Sequence, residues 1–338
     1  MRAVGYQQSL PIDQDASLMD VELPRPEPGP RDLLVEIRAV SLNPVDTKVR
    51  MRAQAEPGGV KVLGFDAAGI VRGVGKNVSL FKEGDEVFYA GAITRQGTNA
   101  EFHAVDERLV GSKPKSLTFE EAAALPLTTL TAWETLFDRL EVKRPVMGAA
   151  DAILIVGAAG GVGSIAVQLA RKLTDLTVIA TASRPDTQAW AKECGAHHVI
   201  DHGKPLAAQV EALGVGAPAF VFSITHTENH FAEIAKTIAP QGRFALIDDP
   251  KAPLEINLLK GKSVSIHWES MFTRSTFQTA DMERQHEILN EASRLVDAGT
   301  IRTTLAEVIG PINAANLRRA HALIESNRTR GKLVLSGF

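Results

Sequence analysis

The run Ile153-Leu154-Ile155-Val156-Gly157-Ala158-Ala159-Gly160-Gly161-Val162-Gly163 constrains this chain more than any other stretch. Its apolar start reads as a buried strand, a string of small residues follows, and Val162, Ile165, Ala166, Leu169 and Leu173 then recur at helical spacing. A strand, a tight turn of small residues and a helix together admit a dinucleotide pyrophosphate. A side chain at Gly160 would push the phosphates away, Gly163 lets the helix approach the sheet, and the free N–H groups of the first helical turn face the anion. The run departs from G-x-G-x-x-G where Ala158 takes the first glycine position, just after Gly157. Alanine is tolerated there if its φ stays negative. No Lys follows the last glycine, so nothing would reach a terminal phosphate and a P-loop is excluded.

With 338 residues the chain has room for about two domains. Residues 1 to about 125 read as short strands and turns, among them Leu33 to Val40, Ala67 to Val71 and Glu86 to Tyr89, bounded by Pro, Gly and Asp. From about 150 to 270 strand and helix alternate, with strands near Thr177 to Ala182, His198 to Ile200, Phe220 to Ser223, Phe244 to Ile247 and Val264 to Trp268. That alternation predicts an α/β fold with a doubly wound parallel sheet. Asp186 is expected to cap a helix that Gly195 ends, with Trp190 and Cys194 on one face and Cys194 in the core. Helices near Asp281 to Ala298 and Ala314 to Ser326 and a strand Lys332 to Leu335 close the chain.

The single cysteine excludes internal disulfides and any site needing several thiolates, which fits a reducing cytoplasm. A net charge of -3 offers no overall positive field, so no nucleic acid is expected as partner. The first residues have no apolar run of a signal peptide, and no stretch is long and apolar enough to span a bilayer.

An acidic residue at the end of the second strand of such a sheet favours NADH, because it accepts from the adenosine ribose and repels a phosphate. Here that strand ends Thr181-Ala182-Ser183-Arg184. Ser183 can donate to a phosphate oxygen and Arg184 can pair with its charge, so NADPH is the expected cofactor.

Further segments carry a resemblance: Ser41 to Thr47, Leu63 to Val71, Gly84 to Val87, Ala122 to Pro126, the glycine run and Gly331 to Leu335. In that order they resemble the medium-chain dehydrogenase/reductase superfamily, in its quinone oxidoreductase branch, and look close to a subgroup labelled zinc-type alcohol dehydrogenase-like. The resemblance implies a β-rich GroES-like catalytic domain over 1–126 and 271–338 and a Rossmann domain over 127–270, with a substrate cleft where they meet. It implies Asn43 and Thr129 near the nicotinamide end, and Ala159, Gly160, Gly161 and Val162 around the pyrophosphate. His202, Thr225, His226, Ile247, Asp248, Met271, Phe272 and Lys332 complete the implied cofactor shell. A homodimer is implied by analogy, through the edge strand Ser263 to Trp268.

Zinc-dependent members of the superfamily hold their metal with a Cys in the first of these segments, a His in the second and a Cys or Asp after the Ala-rich helix. Here the stretches read Leu42-Asn43-Pro44, Gly64-Phe65-Asp66 and Leu125-Pro126-Leu127. Phe65 and Leu127 cannot coordinate zinc, and Asp46 or Asp66 alone falls short of three protein ligands. His226-Thr227-Glu228-Asn229-His230 matches neither H-E-x-x-H nor its inverse. No metal is therefore expected. Alcohol oxidation without zinc is hard, since zinc is what lowers the hydroxyl pKa. A quinone or an α,β-unsaturated carbonyl accepts hydride more readily, because charge appears on an oxygen that donors can stabilise. Asn43 is the candidate donor, or the residue that holds the Asn43-Pro44 turn. Lys48 stands where quinone reductases often carry Tyr, which removes a stacking surface and adds a cation, and Tyr89 or Phe65 is the candidate wall. The expected activity is zinc-independent, NADPH-dependent reduction of quinones or enones. The alternatives are an alcohol dehydrogenase with unconventional ligands and an NADPH-binding protein without significant turnover.

Overall fold

The computed structural model describes residues 1–338, which divide into two compact units, Met1–Leu130 with Phe272–Phe338, and Thr131–Met271. The first boundary falls inside the helix Pro126–Trp133, four residues beyond the expected position after Pro126. The helix continues through it because nothing in Leu127-Thr128-Thr129-Leu130 breaks a helical turn.

The first unit is built from both chain ends. Its seven-stranded sheet runs Leu305–Gly310, Lys332–Ser336, Asp32–Ser41, Asp66–Val74, Glu86–Tyr89 and Val110–Ser112, with Phe102–Asp106 paired to Asp32–Ser41 off this path. The register Val334 to Ser41 lays the C-terminal strand against the strand that leads into Leu42 and Asn43. The Leu42 N–H donates to the Leu333 carbonyl at 3.1 Å, so Lys332 arrives beside residues nearly three hundred positions earlier. Asp66 begins the neighbouring strand, opposite Ser41. Three distant segments are thereby brought to one end of one sheet.

The second unit is a six-stranded sheet in which every pairing is parallel. Its strands are β1 Ala150–Val156, β2 Thr177–Thr181, β3 His198–Ile200, β4 Pro218–Ser223, β5 Arg243–Leu246 and β6 Ser265–Trp268. Their spatial order is 3-2-1-4-5-6, the doubly wound arrangement the strand and helix alternation predicts. β1 is buried through its apolar run, and on the helix Gly161–Leu173 Ile165, Ala166 and Leu169 are fully buried. Val162 and Leu173 are half-buried at its ends.

The helix after β2 differs from expectation. It runs Pro185–Glu193 with Arg184 at its N-cap, so Asp186 lies in its first turn. Pro185 sets the start, since its fixed φ and missing N–H suit the first helical position, and the Arg184 N–H finds the Thr187 hydroxyl at 3.3 Å. Gly195 ends the helix with φ +110, and Cys194 is buried in the core as expected.

Candidate functional site

The turn after β1 departs from ordinary backbone at Gly157, whose φ is +86. Ala158 is not among the positive-φ residues, so Gly157 takes the left-handed position and leaves an alanine where the usual motif has glycine. At Gly163 a methyl group would meet Ala158 Cα and the Gly157 carbonyl oxygen, both at 2.5 Å. The helix therefore rests directly on the turn. At Gly160 the nearest atom to a Cβ would be the Gly157 carbonyl oxygen at 3.9 Å, so the protein itself leaves that space open. An open position over backbone N–H groups at the start of a long helix fits a pyrophosphate. Ala159, Gly160, Gly161 and Val162 all lie on this turn.

Around it, the Gly157 N–H donates to the Thr181 hydroxyl at 3.0 Å, and that hydroxyl meets His202 Nδ1 at 3.1 Å. Sequence reasoning overlooked Thr181, although a polar β-branched residue ending a buried strand beside the glycine turn was the available signal. His202 and His230 have ring centroids 5.9 Å apart. Burial pulls both below the usual imidazole range; the charge of His226 adds to this for both rings, and that of His202 adds to it for His230. Ser183 is exposed, and the Arg184 guanidinium lies against Asp186 at 3.2 Å, which pulls the Asp186 carboxyl below the usual range.

Beyond β4, Thr225 and His226 are half-buried, and His226 has a left-handed φ of +52 at the start of the helix Thr227–Thr237. Asp248 accepts from the Thr227 N–H at 2.9 Å and from its hydroxyl at 2.6 Å. The Asp248 carboxylate is thus a helix cap as well as a residue at the carboxyl end of β5. Ile247 beside it is half-buried and Met271 is buried.

In the first unit the candidate residues converge on a buried polar cluster. Lys332 and Asp66 are 3% and 0% exposed, and their Nζ to Oδ2 distance is 2.9 Å. The Lys332 ammonium also donates to the Leu42 carbonyl at 2.7 Å and to Asn43 Oδ1. Asn43 Nδ2 donates to Asp66 Oδ2 at 2.8 Å, and the Leu127 N–H donates to Asp66 Oδ1 at 2.7 Å. Asp46 accepts from the Asn43 N–H at 2.9 Å and from the Gly64 N–H at 3.0 Å. Burial pushes its carboxyl up to about 7 against the pull of those N–H groups and of Lys332.

Two placements bear on the expected roles. All three ammonium hydrogens of Lys332 are committed within the protein, so it is not a free cation for a cofactor. Tyr89 is fully buried with its hydroxyl 3.1 Å from His103 Nδ1, and burial raises its phenol well above the usual range, so its hydroxyl is already spent on His103. Phe65 instead meets Phe272 edge to face at 5.2 Å. Lys48 is half-buried on the helix Pro44–Arg52. Thr129 is fully buried and its hydroxyl has no partner, a cost of about 1–3 kcal/mol that a bound polar group would relieve. Asp66, which the sequence offers only as a deficient metal ligand, is the buried partner of Lys332, and nothing local announces a lysine 266 positions away.

A zinc ion does not fit these residues. No group of three or more His, Cys, Asp and Glu is placed to hold a metal. The carboxylates at hand, Asp46 and Asp66, are already engaged by N–H donors and an ammonium. The three stretches that bear metal ligands in zinc-dependent relatives are joined here by Lys332 and Asp66.

A β-rich unit built from both chain ends and a doubly wound parallel unit with a dinucleotide-type turn define a medium-chain dehydrogenase/reductase. Residues 29–131 match the alcohol dehydrogenase GroES-like domain family, and residues 194–335 match the zinc-binding dehydrogenase family. A zinc-type alcohol dehydrogenase-like protein of Staphylococcus epidermidis is 38% identical over 99% of both chains. A crystal structure from Rhizobium etli CFN 42, provisionally described as a zinc-dependent alcohol dehydrogenase protein, is 66% identical with a TM-score of 0.98, over 100% of this chain and 98% of that one. Escherichia coli quinone oxidoreductase complexed with NADPH is 25% identical with a TM-score of 0.83, over 99% and 100%. The chain belongs to the medium-chain dehydrogenase/reductase superfamily of oxidoreductases, with quinone oxidoreductases and alcohol dehydrogenase-like proteins as its neighbours.

Proposed function

We propose that the protein is a zinc-independent, NADPH-dependent reductase of quinones or α,β-unsaturated carbonyls. The observation that carries this reading is the buried cluster of Lys332, Asp66 and Asn43, where a protein ammonium is the cation and no metal-ligand set exists. NADPH bound at the glycine turn supplies the hydride. The residues of the turn hold the pyrophosphate through N–H groups, and Gly160 leaves room for it. Ser183 and Arg184 stand where a 2′-phosphate adds charge, and Arg184 exchanges Asp186 for that phosphate. Asn43 donates to the acceptor oxygen on which negative charge develops, and Thr129 takes the nicotinamide amide as partner for its orphaned hydroxyl.

The acceptor class follows from what the chain lacks. An alcohol must lose a proton before it can give up hydride, and the cluster offers no set of metal ligands through which its hydroxyl pKa could be lowered. A conjugated carbonyl requires only donors. Anaerobic mixing with NADPH and a panel of quinones and enones tests this. Oxidation of NADPH by these acceptors, unaffected by chelator, is the expected result; tight NADPH binding with no oxidation by any of them refutes it.

The second unit also presents β6 as a free sheet edge, with Trp268 58% and Ile266 38% exposed beside the half-exposed Ile256. A second copy pairing along this edge would form a homodimer. Light scattering on Ile266→Lys is expected to report a monomer where the wild-type protein reports a dimer; a monomeric wild-type protein refutes it.

A further inference from the structure

We infer that Lys332 is a positioning residue for the reduction, acting through Asn43: its ammonium fixes and polarises the Asn43 carboxamide so that one remaining N–H becomes a strengthened donor to the acceptor oxygen. The inference rests on the reductase reading above and concerns how the donor is made.

Asn43 is 1% exposed, and an amide in such a place could sit in either of two orientations. Its neighbours remove the choice. Oδ1 faces the Lys332 ammonium, which can only donate, and Nδ2 faces the Asp66 carboxylate, which in its paired form can only accept. A flipped amide would set donor against donor and acceptor against acceptor. The backbone N–H of Asn43 is held in turn by Asp46. Both ends of the residue are therefore fixed by ionisable groups that are themselves buried.

Nδ2 carries two hydrogens, and Asp66 takes one. The other is left for a ligand. An amide N–H left over at a buried site is costly unless a ligand uses it. Its strength is set by Lys332: a cation on the carboxamide oxygen draws electron density from nitrogen, and hydrogen bonds in such a chain reinforce one another in a low-dielectric interior. A neutral amide thereby gains part of the character of a charged donor. Asp66 moderates this and keeps the ammonium in place through its Nζ contact at 2.9 Å.

In the reaction, hydride adds to the ring or alkene carbon conjugated to the carbonyl. The displaced π electrons move to the carbonyl oxygen, which becomes an enolate or hydroquinone anion and is later protonated from water. Lys332 gives up no proton. It acts by keeping the Asn43 N–H aimed and polarised while the oxygen is negative.

Removing Lys332 alone would leave Asp66 as an unpaired buried charge, so the informative protein is the double variant Asp66→Asn/Lys332→Met, which holds no charge at either position. If this protein folds and binds NADPH within about twofold of wild type, kcat with a quinone is expected to fall at least about tenfold while KM moves less than about threefold. The second readout needs no turnover. In cofactor-free protein labelled at asparagine nitrogen, the Asn43 side-chain amide pair, identified by its absence in Asn43→Ala, is expected to lie outside the ordinary asparagine range and to return towards it in the double variant, whereas Lys332→Arg, which keeps a cation, holds it nearer the wild-type position. Unchanged kcat in a double variant that binds NADPH, or an Asn43 amide signal that does not move, overturns the inference. Failure of wild-type protein to oxidise NADPH with any acceptor overturns the reductase reading instead, and the amide signal still decides whether Lys332 polarises Asn43.

Discussion

Alanine at Gly160 and alanine at Gly163 should damage the protein in opposite ways. At Gly163 the new methyl group would lie 2.5 Å from Ala158 Cα and the Gly157 carbonyl oxygen, about an ångström inside ordinary contact. Backbone cannot rotate away as a side chain can, so the helix Gly161–Leu173 must retreat from the turn. Overpacking of this kind costs about 1–3 kcal/mol, and the better helix propensity of alanine returns up to about 1 kcal/mol. The expected fall in Tm is about 5 °C for a unit of this size. At Gly160 φ is -73, which alanine adopts without strain, and the nearest atom to the methyl group is 3.9 Å away. Only the weaker N-cap preference of alanine acts against it, worth less than about 1 kcal/mol. Yet the methyl group would occupy the space assigned to the pyrophosphate, so NADPH affinity should drop at least about tenfold, or about 1.4 kcal/mol. Differential scanning fluorimetry with and without NADPH measures both quantities in each variant. If Gly160→Ala binds NADPH as wild type does, the phosphates do not sit on this turn; if Gly163→Ala melts with wild type, the helix does not rest on it.

Other perturbations give independent checks. Arg184→Ala should weaken NADPH about tenfold and leave NADH unchanged, whereas Asp186→Asn, which releases the guanidinium, should strengthen NADPH; equal effects on both cofactors by calorimetry refute the 2′-phosphate assignment. His103 is held neutral by burial, with its pKa lowered from 6.5 to about 4, and a neutral ring satisfies both Gln96 O at 2.9 Å and the Tyr89 hydroxyl. The unfolded chain takes up this proton first as pH falls, so His103 contributes stability above 6.5 that is lost towards pH 4, about 3 kcal/mol in all. Asp46 acts in the opposite sense. With its carboxyl raised to about 7, it favours the folded state below the ordinary carboxylate range, and that contribution is lost as pH rises through 7. Urea unfolding at pH 7 and pH 4.5 should therefore show His103→Gln losing markedly less stability on acidification than wild type; parallel losses refute it.

The second unit was largely legible in the sequence because its signals are local. An apolar run, a string of small residues and a 3.6-residue periodicity all lie within Ile153 to Leu173, and each later strand announces itself over a few residues. In sequence Asp186 reads as a cap, while in the fold the proline ring decides that the helix starts at Pro185. The polar cluster of the first unit was less readable. Its members Asn43, Asp66 and Lys332 meet only because the last strand pairs with Asp32–Ser41, a contact formed across most of the chain. Lys332 and Tyr89 each looked available in sequence, and both are consumed by partners, Asp66 and His103, that no spacing rule connects to them. Burial and long-range pairing, rather than residue type, decided those roles.

The central claim is that hydride reaches a conjugated carbonyl without a metal. Its most direct measurement is anaerobic stopped-flow oxidation of NADPH by a quinone, on protein whose metal content has been determined and which has been treated with chelator. The expected result is full turnover with no bound zinc and no loss on chelation. Stoichiometric zinc with turnover that chelation abolishes and zinc restores would contradict the account.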